Sequence, residues 1–259
     1  MIIFLSLIPL LAAISGFLIY GQGGKREILR LDVVQFVYGF IIAPIMFVWI
    51  KSFFFFVIIK EAQPAISQTD AFLMDTVLST FALIIYAFVV IHSLTTTFKR
   101  KVHKDPLYDL LEHAEYFHMW GTHLPIYIGY LAFMTAFAIG NIFLPFYLEL
   151  NMWQVIGLFM LSFLLGTTQF MAAWLWSVES SKFMRFMKLV FAFFFILHAG
   201  LYFFFAPKFS AQMVLFWVSF GAMTTSVLYS FFAVRFEVVT KFFNRFKLDS
   251  VFYKSDVTE

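Results

Sequence analysis

Long apolar segments alternate with short polar ones along the whole chain. Seven of the apolar segments reach the length of about 20 residues that a helix needs to cross a ~30 Å hydrocarbon layer. Inside a bilayer every backbone amide must be bonded internally, and helices are the structure that fits runs of this length. The predicted spans are residues 1–20, 33–59, 71–96, 121–145, 152–176, 183–205 and 212–233. The pattern therefore predicts an all-α, polytopic membrane protein with seven transmembrane helices.

The longest polar run lies between the third and fourth spans, at residues 98–123. Asp105 followed by Pro106 is a helix start, because Asp accepts hydrogen bonds from free amides and Pro at the first helical position loses none. Polar side chains then face one side, and apolar ones recur at helical spacing on the other. We predict an amphipathic interfacial helix over residues 106–120. Its residues suited to docking a partner are Leu107, Leu110, Leu111, Glu112 and Phe117.

Basic residues predict how the spans thread through the bilayer. Cytoplasmic loops of membrane proteins carry an excess of Lys and Arg. With seven spans, the loops after spans one, three and five and the C-terminal tail share one side, and they hold 15 of the 18 basic residues. We therefore expect the N-terminus outside and both the interfacial helix and the C-terminus in the cytoplasm.

Composition narrows the compartment and the chemistry. The chain is 62% hydrophobic and 13% charged, with 40 Phe, which is typical of a protein of the lipid bilayer. The absence of Cys excludes disulfides, thiolate metal sites, iron–sulfur clusters and cysteine nucleophiles. The net charge is +3, but the charged residues flank the spans, so we expect no nucleic-acid partner. We predict one membrane domain over residues 1–235, a basic tail over 236–259, and residence in a cytoplasmic or inner membrane.

The interfacial helix offers two carboxylate–histidine pairs. Asp109 and His113 are four residues apart, and Glu115 and His118 are three apart, the spacing by which helical di-iron proteins place two ligands on one side of a metal. The alternative is a solvated face with salt bridges. Steps of five residues rotate a side chain by about 140° on an α-helix, so His113, His118 and His123 cannot converge on one ion without a break in the helix.

Two further histidines predict a second kind of centre. His92 near the end of span three and His123 near the start of span four should lie at similar depth on antiparallel helices. Membrane cytochromes hold haem b between two axial histidines in this way. Hydrogen bonds to carbonyls or lipid headgroups are the alternative. His198 lies deeper, and the sequence places no other histidine at its level.

Other polar residues stand within the apolar segments. Lys51 in span two is a functional candidate by default, although its position also favours extension of the side chain to the outer surface. Asn141 and Gln169 can form hydrogen bonds between helices. The spans carry no central carboxylate, which disfavours an ion-coupled transporter.

These features favour a non-enzymatic membrane subunit or scaffold. We expect it to bind lipid and partner helices, or a second copy of the chain, through Phe-rich faces such as residues 53–56 and 191–195, and a cytoplasmic partner through residues 98–123. One alternative is an oxidoreductase-type subunit with haem b or a metal ion near His92 and His123, in which Glu115 and His118 could take part. A second is a channel or facilitator lined by the threonines of spans five and seven.

Overall fold

The structure is a computed structural model. It describes residues 8, 11–12, 14–16, 18–19, 22, 26–29, 31–62, 66–101, 117–146, 151–176 and 181–232. Within these residues the main elements are the helices α1 Val33–Val37, α2 Ala43–Phe56, α3 Gln68–Lys101, α4 Leu124–Phe143, α5 Met152–Trp176, α6 Ser181–Phe205 and α7 Val214–Phe232.

Shorter elements join or precede these helices. Three turns are π-helical, at Tyr38–Ile42, Val57–Ala62 and Phe117–His123, and a 3₁₀ turn at Ala211–Met213 leads into α7. The two-residue strands β1 Glu27–Ile28 and β2 Leu31–Asp32 pair antiparallel, with Glu27 opposite Asp32.

The chain is an all-α polytopic membrane protein, as its apolar pattern predicts. Six helical segments in the described part are long and apolar enough to cross a membrane. They are Val33–Ile59, Gln68–Thr95, Trp120–Phe143, Met152–Trp174, Phe183–Phe205 and Ala211–Phe232. The predicted first span, residues 1–20, falls largely outside the described residues. The total of seven spans and the orientation with the N-terminus outside therefore stay predictions.

The described residues form two compact units, the first ending at Gly129 and the second beginning at Tyr130, within α4. In the first unit, α2 and α3 pack together, and the π-helical turn Phe117–His123 packs on α3. The side chain of Asp32 accepts a hydrogen bond from the Val34 amide at 2.9 Å and so caps the start of α1. The packing of the π-helical turn on α3 positions these two elements relative to each other.

In the second unit, α7 packs against both α5 and α6. Small residues permit the closest approach, because a Cβ placed on Gly166 of α5 would lie 2.4 Å from the Ala222 carbonyl oxygen of α7. A Cβ on Gly221 would lie 2.6 Å from Ser162 Oγ. Backbone therefore meets backbone at this crossing, as small residues allow in membrane helices.

The Phe runs do not face lipid as whole blocks. Phe54 is buried beside the exposed Phe55, and Phe191 and Phe194 are buried on either side of the exposed Phe193. Burial of Phe54, Phe191 and Phe194 leaves the exposed members of each run for the predicted contacts with lipid or a hydrophobic partner, because successive residues of a helix point about 100° apart. Each range contains four Phe, and residues at these spacings cover most of the helix circumference.

Candidate metal centre

Three imidazole rings meet in the first unit. His92 lies on α3, and His118 and His123 lie on the π-helical turn Phe117–His123. The ring centroids are 4.6 Å apart for His92 and His118, 4.3 Å for His92 and His123, and 4.9 Å for His118 and His123. His118 and His123 are buried and His92 is partly exposed. The cluster lies close to the end of one candidate span, Gln68–Thr95, and the start of the next, Trp120–Phe143.

The π-helical turn is what brings two of these histidines together. On an α-helix, residues 118 and 123 would point about 140° apart. A π-helix closes i→i+5 hydrogen bonds instead, so residues five apart lie one above the other on the same face. The turn supplies the break in helix geometry that the five-residue spacing requires. It ends at His123, and α4 continues from Leu124.

Two threonine hydroxyl groups hold the outer nitrogens of the cluster. Thr95 Oγ1 lies 2.9 Å from His118 Nδ1 and 3.0 Å from the His92 carbonyl oxygen. Thr122 Oγ1 lies 3.4 Å from His92 Nδ1 and also contacts the His118 carbonyl oxygen. Each hydroxyl thus links the helix that carries it to an imidazole of the neighbouring segment.

The inner nitrogens have the spacing of metal ligands. His118 Nε2 and His123 Nε2 are 3.3 Å apart. Two nitrogens bonded to one zinc ion at about 2.0–2.1 Å with a tetrahedral angle lie about 3.3 Å apart. One ring nitrogen from each of the three histidines falls within 4.8 Å of the others. The three histidines are therefore a candidate ligand set for one metal ion.

The structure combines residues that the sequence assigns to two different centres. His92 and His123 are the predicted haem ligands, and His118 belongs to the predicted pair with Glu115. The five-residue spacing of His118 and His123 is the feature of the sequence that relates to this cluster, because a π-helical turn places two such residues on the same face.

Several predicted site residues lie outside the described residues. They are the metal candidates Asp109, His113 and Glu115 and the docking candidates Leu107, Leu110, Leu111 and Glu112. The last residues of the predicted interfacial helix, from Phe117 to Trp120, belong to the π-helical turn. The metal and docking roles of this segment stay predictions.

Lys51 has a partner on the neighbouring helix. Its ammonium group forms an ion pair with Asp75 Oδ2, and the side chains are 40% and 18% exposed. The prediction that the Lys51 side chain extends to the outer surface did not include this ion pair. Antiparallel packing of α2 on α3 brings the two charges to the same level.

The deeper histidine of the second unit forms a hydrogen bond between helices. His198 on α6 lies with Nε2 2.7 Å from Ser219 Oγ on α7 and with Nδ1 2.8 Å from its own Phe194 carbonyl oxygen. Because the carbonyl can only accept, Nδ1 carries the proton and Nε2 accepts from Ser219. Both side chains are buried, and the Phe216 and Phe220 rings lie near the imidazole.

Asn141 and Gln169 also connect helices. The Asn141 amide donates to the Gln212 carbonyl oxygen at 2.8 Å, and its oxygen accepts from the backbone amides of Leu215 and Phe216 at 3.0 and 3.3 Å. Asn141 therefore caps the first turn of α7 from α4. Gln169 on α5 accepts from Ser226 Oγ on α7 at 2.8 Å.

The threonines proposed to line a channel bond to their own helices. Thr167, Thr168, Thr224 and Thr225 each donate to a carbonyl oxygen three or four residues earlier at 2.8 Å. Their donors therefore do not bridge helices, and the channel hypothesis gains no support from these contacts.

The chain matches no model of a known protein family, no curated protein and no solved structure.

Proposed function

We propose that this integral membrane protein binds a first-row transition-metal ion through His92, His118 and His123. The observation that carries the proposal is the 3.3 Å separation of His118 Nε2 and His123 Nε2 beside a third imidazole. The same separation allows a hydrogen bond between the two Nε2 atoms, and an ion that both nitrogens ligate would replace the proton they share. Ligation of one ion gives this convergence a physical reason.

The donor set selects the class of ion. Neutral imidazole suits zinc, copper, iron and nickel, whereas magnesium and calcium prefer oxygen ligands. Within the described residues the cluster contains imidazoles alone. Three histidine ligands on a tetrahedral ion leave one position for water, a substrate or a further side chain, which is the arrangement of catalytic zinc sites. The centre is therefore suited to metal-assisted chemistry at one end of two spans.

An ion fits this geometry better than haem b. Axial ligands lie on opposite sides of the iron, so with bonds of about 2 Å their nitrogens alone are about 4 Å apart and their ring centroids are farther. The rings of His92 and His123 instead meet edge to face with centroids 4.3 Å apart. A macrocycle between them would require the two segments to separate.

The experiment is metal analysis of the purified full-length protein. After reconstitution with zinc or cobalt and removal of excess ion, we expect about one equivalent per chain, and a tetrahedral Co²⁺ absorption spectrum. The variant His118→Ala should lose both. The matched control His198→Asn removes a buried histidine of the second unit and should retain the ion.

Each other result is decisive. Retention of the metal by His118→Ala would place it elsewhere, and failure of the wild-type protein to bind zinc, cobalt, iron or copper would overturn the proposal. A Soret band that disappears in His92→Ala and His123→Ala would establish the haem alternative instead. The same measurement on Glu115→Gln, Asp109→Asn and His113→Ala tests the predicted ligands outside the described residues.

A further inference from the structure

We infer that Thr95 and Thr122 are positioning residues that fix the tautomers of His118 and His92, so that Nε2 of each ring is available as the metal ligand. This inference rests on the proposed metal site. It goes beyond the ligand set by naming the groups that decide which nitrogen binds.

The first step concerns Thr95. A hydroxyl group has one hydrogen to donate and two lone pairs to accept with. Thr95 Oγ1 donates that hydrogen to the His92 carbonyl oxygen, which cannot donate in return. With that hydrogen on the carbonyl, Thr95 accepts from His118 Nδ1, 2.9 Å away, and this arrangement assigns the proton to Nδ1. In neutral His118 the unprotonated nitrogen is then Nε2.

The same logic applies at Thr122. Its hydroxyl hydrogen goes to the His118 carbonyl oxygen, one turn earlier. The contact with His92 Nδ1 at 3.4 Å is longer than the one at Thr95, and Thr122 again accepts in it. Nδ1 of His92 thus carries the proton, and Nε2 becomes its ligand atom.

The two contacts are reciprocal across the two segments. Thr95 on α3 orients a ring of the π-helical turn, and Thr122 on the π-helical turn orients a ring of α3. Metal-binding histidines generally donate the hydrogen of the other ring nitrogen to an acceptor, which fixes the tautomer and the ring orientation. Here both acceptors are hydroxyl groups whose single hydrogen is assigned to a backbone carbonyl oxygen.

Burial makes the two acceptors matter. Each pair has one fully buried member, His118 beside Thr95 and Thr122 beside His92, so water cannot readily replace a lost hydroxyl group there. Without Thr95, the proton of His118 is no longer held on Nδ1, and the tautomer with Nε2–H cannot bind the ion through Nε2. Loss of such a partner typically weakens metal affinity about 10- to 100-fold.

The experiment measures Co²⁺ affinity and the Co²⁺ absorption spectrum of full-length variants in detergent. Thr95→Val keeps the branched shape and removes the acceptor, and we expect affinity to fall about 10- to 100-fold. Thr95→Ser should restore it. Thr122→Val should also weaken binding, by a smaller factor because its contact is longer. The matched control Thr80→Val removes a hydroxyl of α3 that also bonds its own helix and is exposed, and it should bind as the wild type.

The outcomes separate this inference from the proposed function. If wild type and Thr95→Val bind Co²⁺ equally well, the positioning role is wrong and the metal site stands. If Thr95→Ser fails to restore binding, the methyl group and not the acceptor is responsible, and the inference is also overturned. Absence of binding in the wild type would remove the metal site itself.

A second measurement needs neither a variant nor a metal. ¹⁵N NMR of the histidine rings in the metal-free protein distinguishes Nδ1–H from Nε2–H tautomers. We expect Nδ1–H for two of the cluster histidines. Nε2–H at both would contradict the inference even if the variants did not fold.

Discussion

Lys51 and Asp75 place opposite charges within the apolar candidate spans Val33–Ile59 and Gln68–Thr95. A lone charge in such a position is costly, and membrane proteins pair it with a partner. Asp75 Oδ1 has no hydrogen-bond partner among the described residues, so the contact of Oδ2 with Lys51 is its main compensation there. The pair makes two otherwise unfavourable residues tolerable together.

Removing one charge should therefore harm the protein more than removing both. We expect Lys51→Met and Asp75→Leu each to lower stability by about 2 to 3 kcal/mol, the scale of an unpaired charge in a span. The double variant should recover most of that loss. Chemical unfolding in detergent micelles, followed by circular dichroism, measures the three values.

Ser52→Ala is the control for this cycle, because Ser52 is exposed on the same helix and bonds only its own Val48 carbonyl oxygen among the contacts described. It should stay close to the wild type. Additive losses in the double variant would show that the two charges do not stabilise each other.

At the level of single residues, the sequence predicts which positions matter but not which groups they contact. Polar residues within apolar segments can be recognised from the sequence alone. They are Lys51, His92, His123, Asn141 and Gln169. The hydrogen-bond and ion-pair partners of these residues cannot be predicted, because hydropathy carries no information on the rotation of one helix against the next. The pairing of Lys51 with Asp75 needs the register of α2 on α3.

At the scale of elements, the crossing of α5 and α7 depends on the absence of a side chain. Gly166 lies against the Ala222 carbonyl oxygen, whereas a Cβ on Gly157 of the same helix would meet nothing within 4 Å. Backbone atoms cannot move aside as a side chain does. The two glycines of α5 therefore differ in what they tolerate.

We predict that Gly166→Ala destabilises the protein and Gly157→Ala does not. Both substitutions gain the same helix propensity, so the difference isolates the steric clash. Overpacking of this kind costs about 1 to 3 kcal/mol. Thermal denaturation in detergent, read by size-exclusion chromatography of the monodisperse fraction, compares the two variants. Equal melting temperatures would show that the close approach contributes nothing.

The elements themselves were largely predictable. The six candidate spans begin and end within three residues of the limits that the apolar pattern predicts, because the bilayer sets both composition and length. The π-helical turn Phe117–His123 was not predictable, since i→i+5 hydrogen bonding leaves no hydrophobic signature of its own. The histidine cluster depends on that turn, which is why its members appeared as separate pairs.

At the scale of the whole molecule, the distribution of basic residues predicts one orientation for every span. Only the predicted location of the N-terminus depends on the first span, which lies mostly outside the described residues. The absence of Cys makes it simple to test, because single cysteines can be introduced into an otherwise unreactive chain.

We predict that cysteines at positions 25 and 101 share one face of the membrane and that a cysteine at position 208 lies on the other. The variants Lys25→Cys, Lys101→Cys and Lys208→Cys, treated with an impermeant maleimide in intact cells and in opened membranes, give the three assignments. Labelling of positions 25 and 101 from opposite faces would mean that the count of spans between them is wrong.

The cap that Asn141 provides also bears on how the chain is made. The backbone groups it satisfies, at Gln212, Leu215 and Phe216, follow it by 71 to 75 residues. A ribosome adding about 5 to 20 residues per second needs roughly 4 to 15 s to deliver them. Over that interval α4 waits in the bilayer with an amide directed to a helix not yet synthesised. The Asn141 side chain thus gains these partners only late in synthesis, and a nascent chain stalled before Gln212 would lack all three hydrogen bonds.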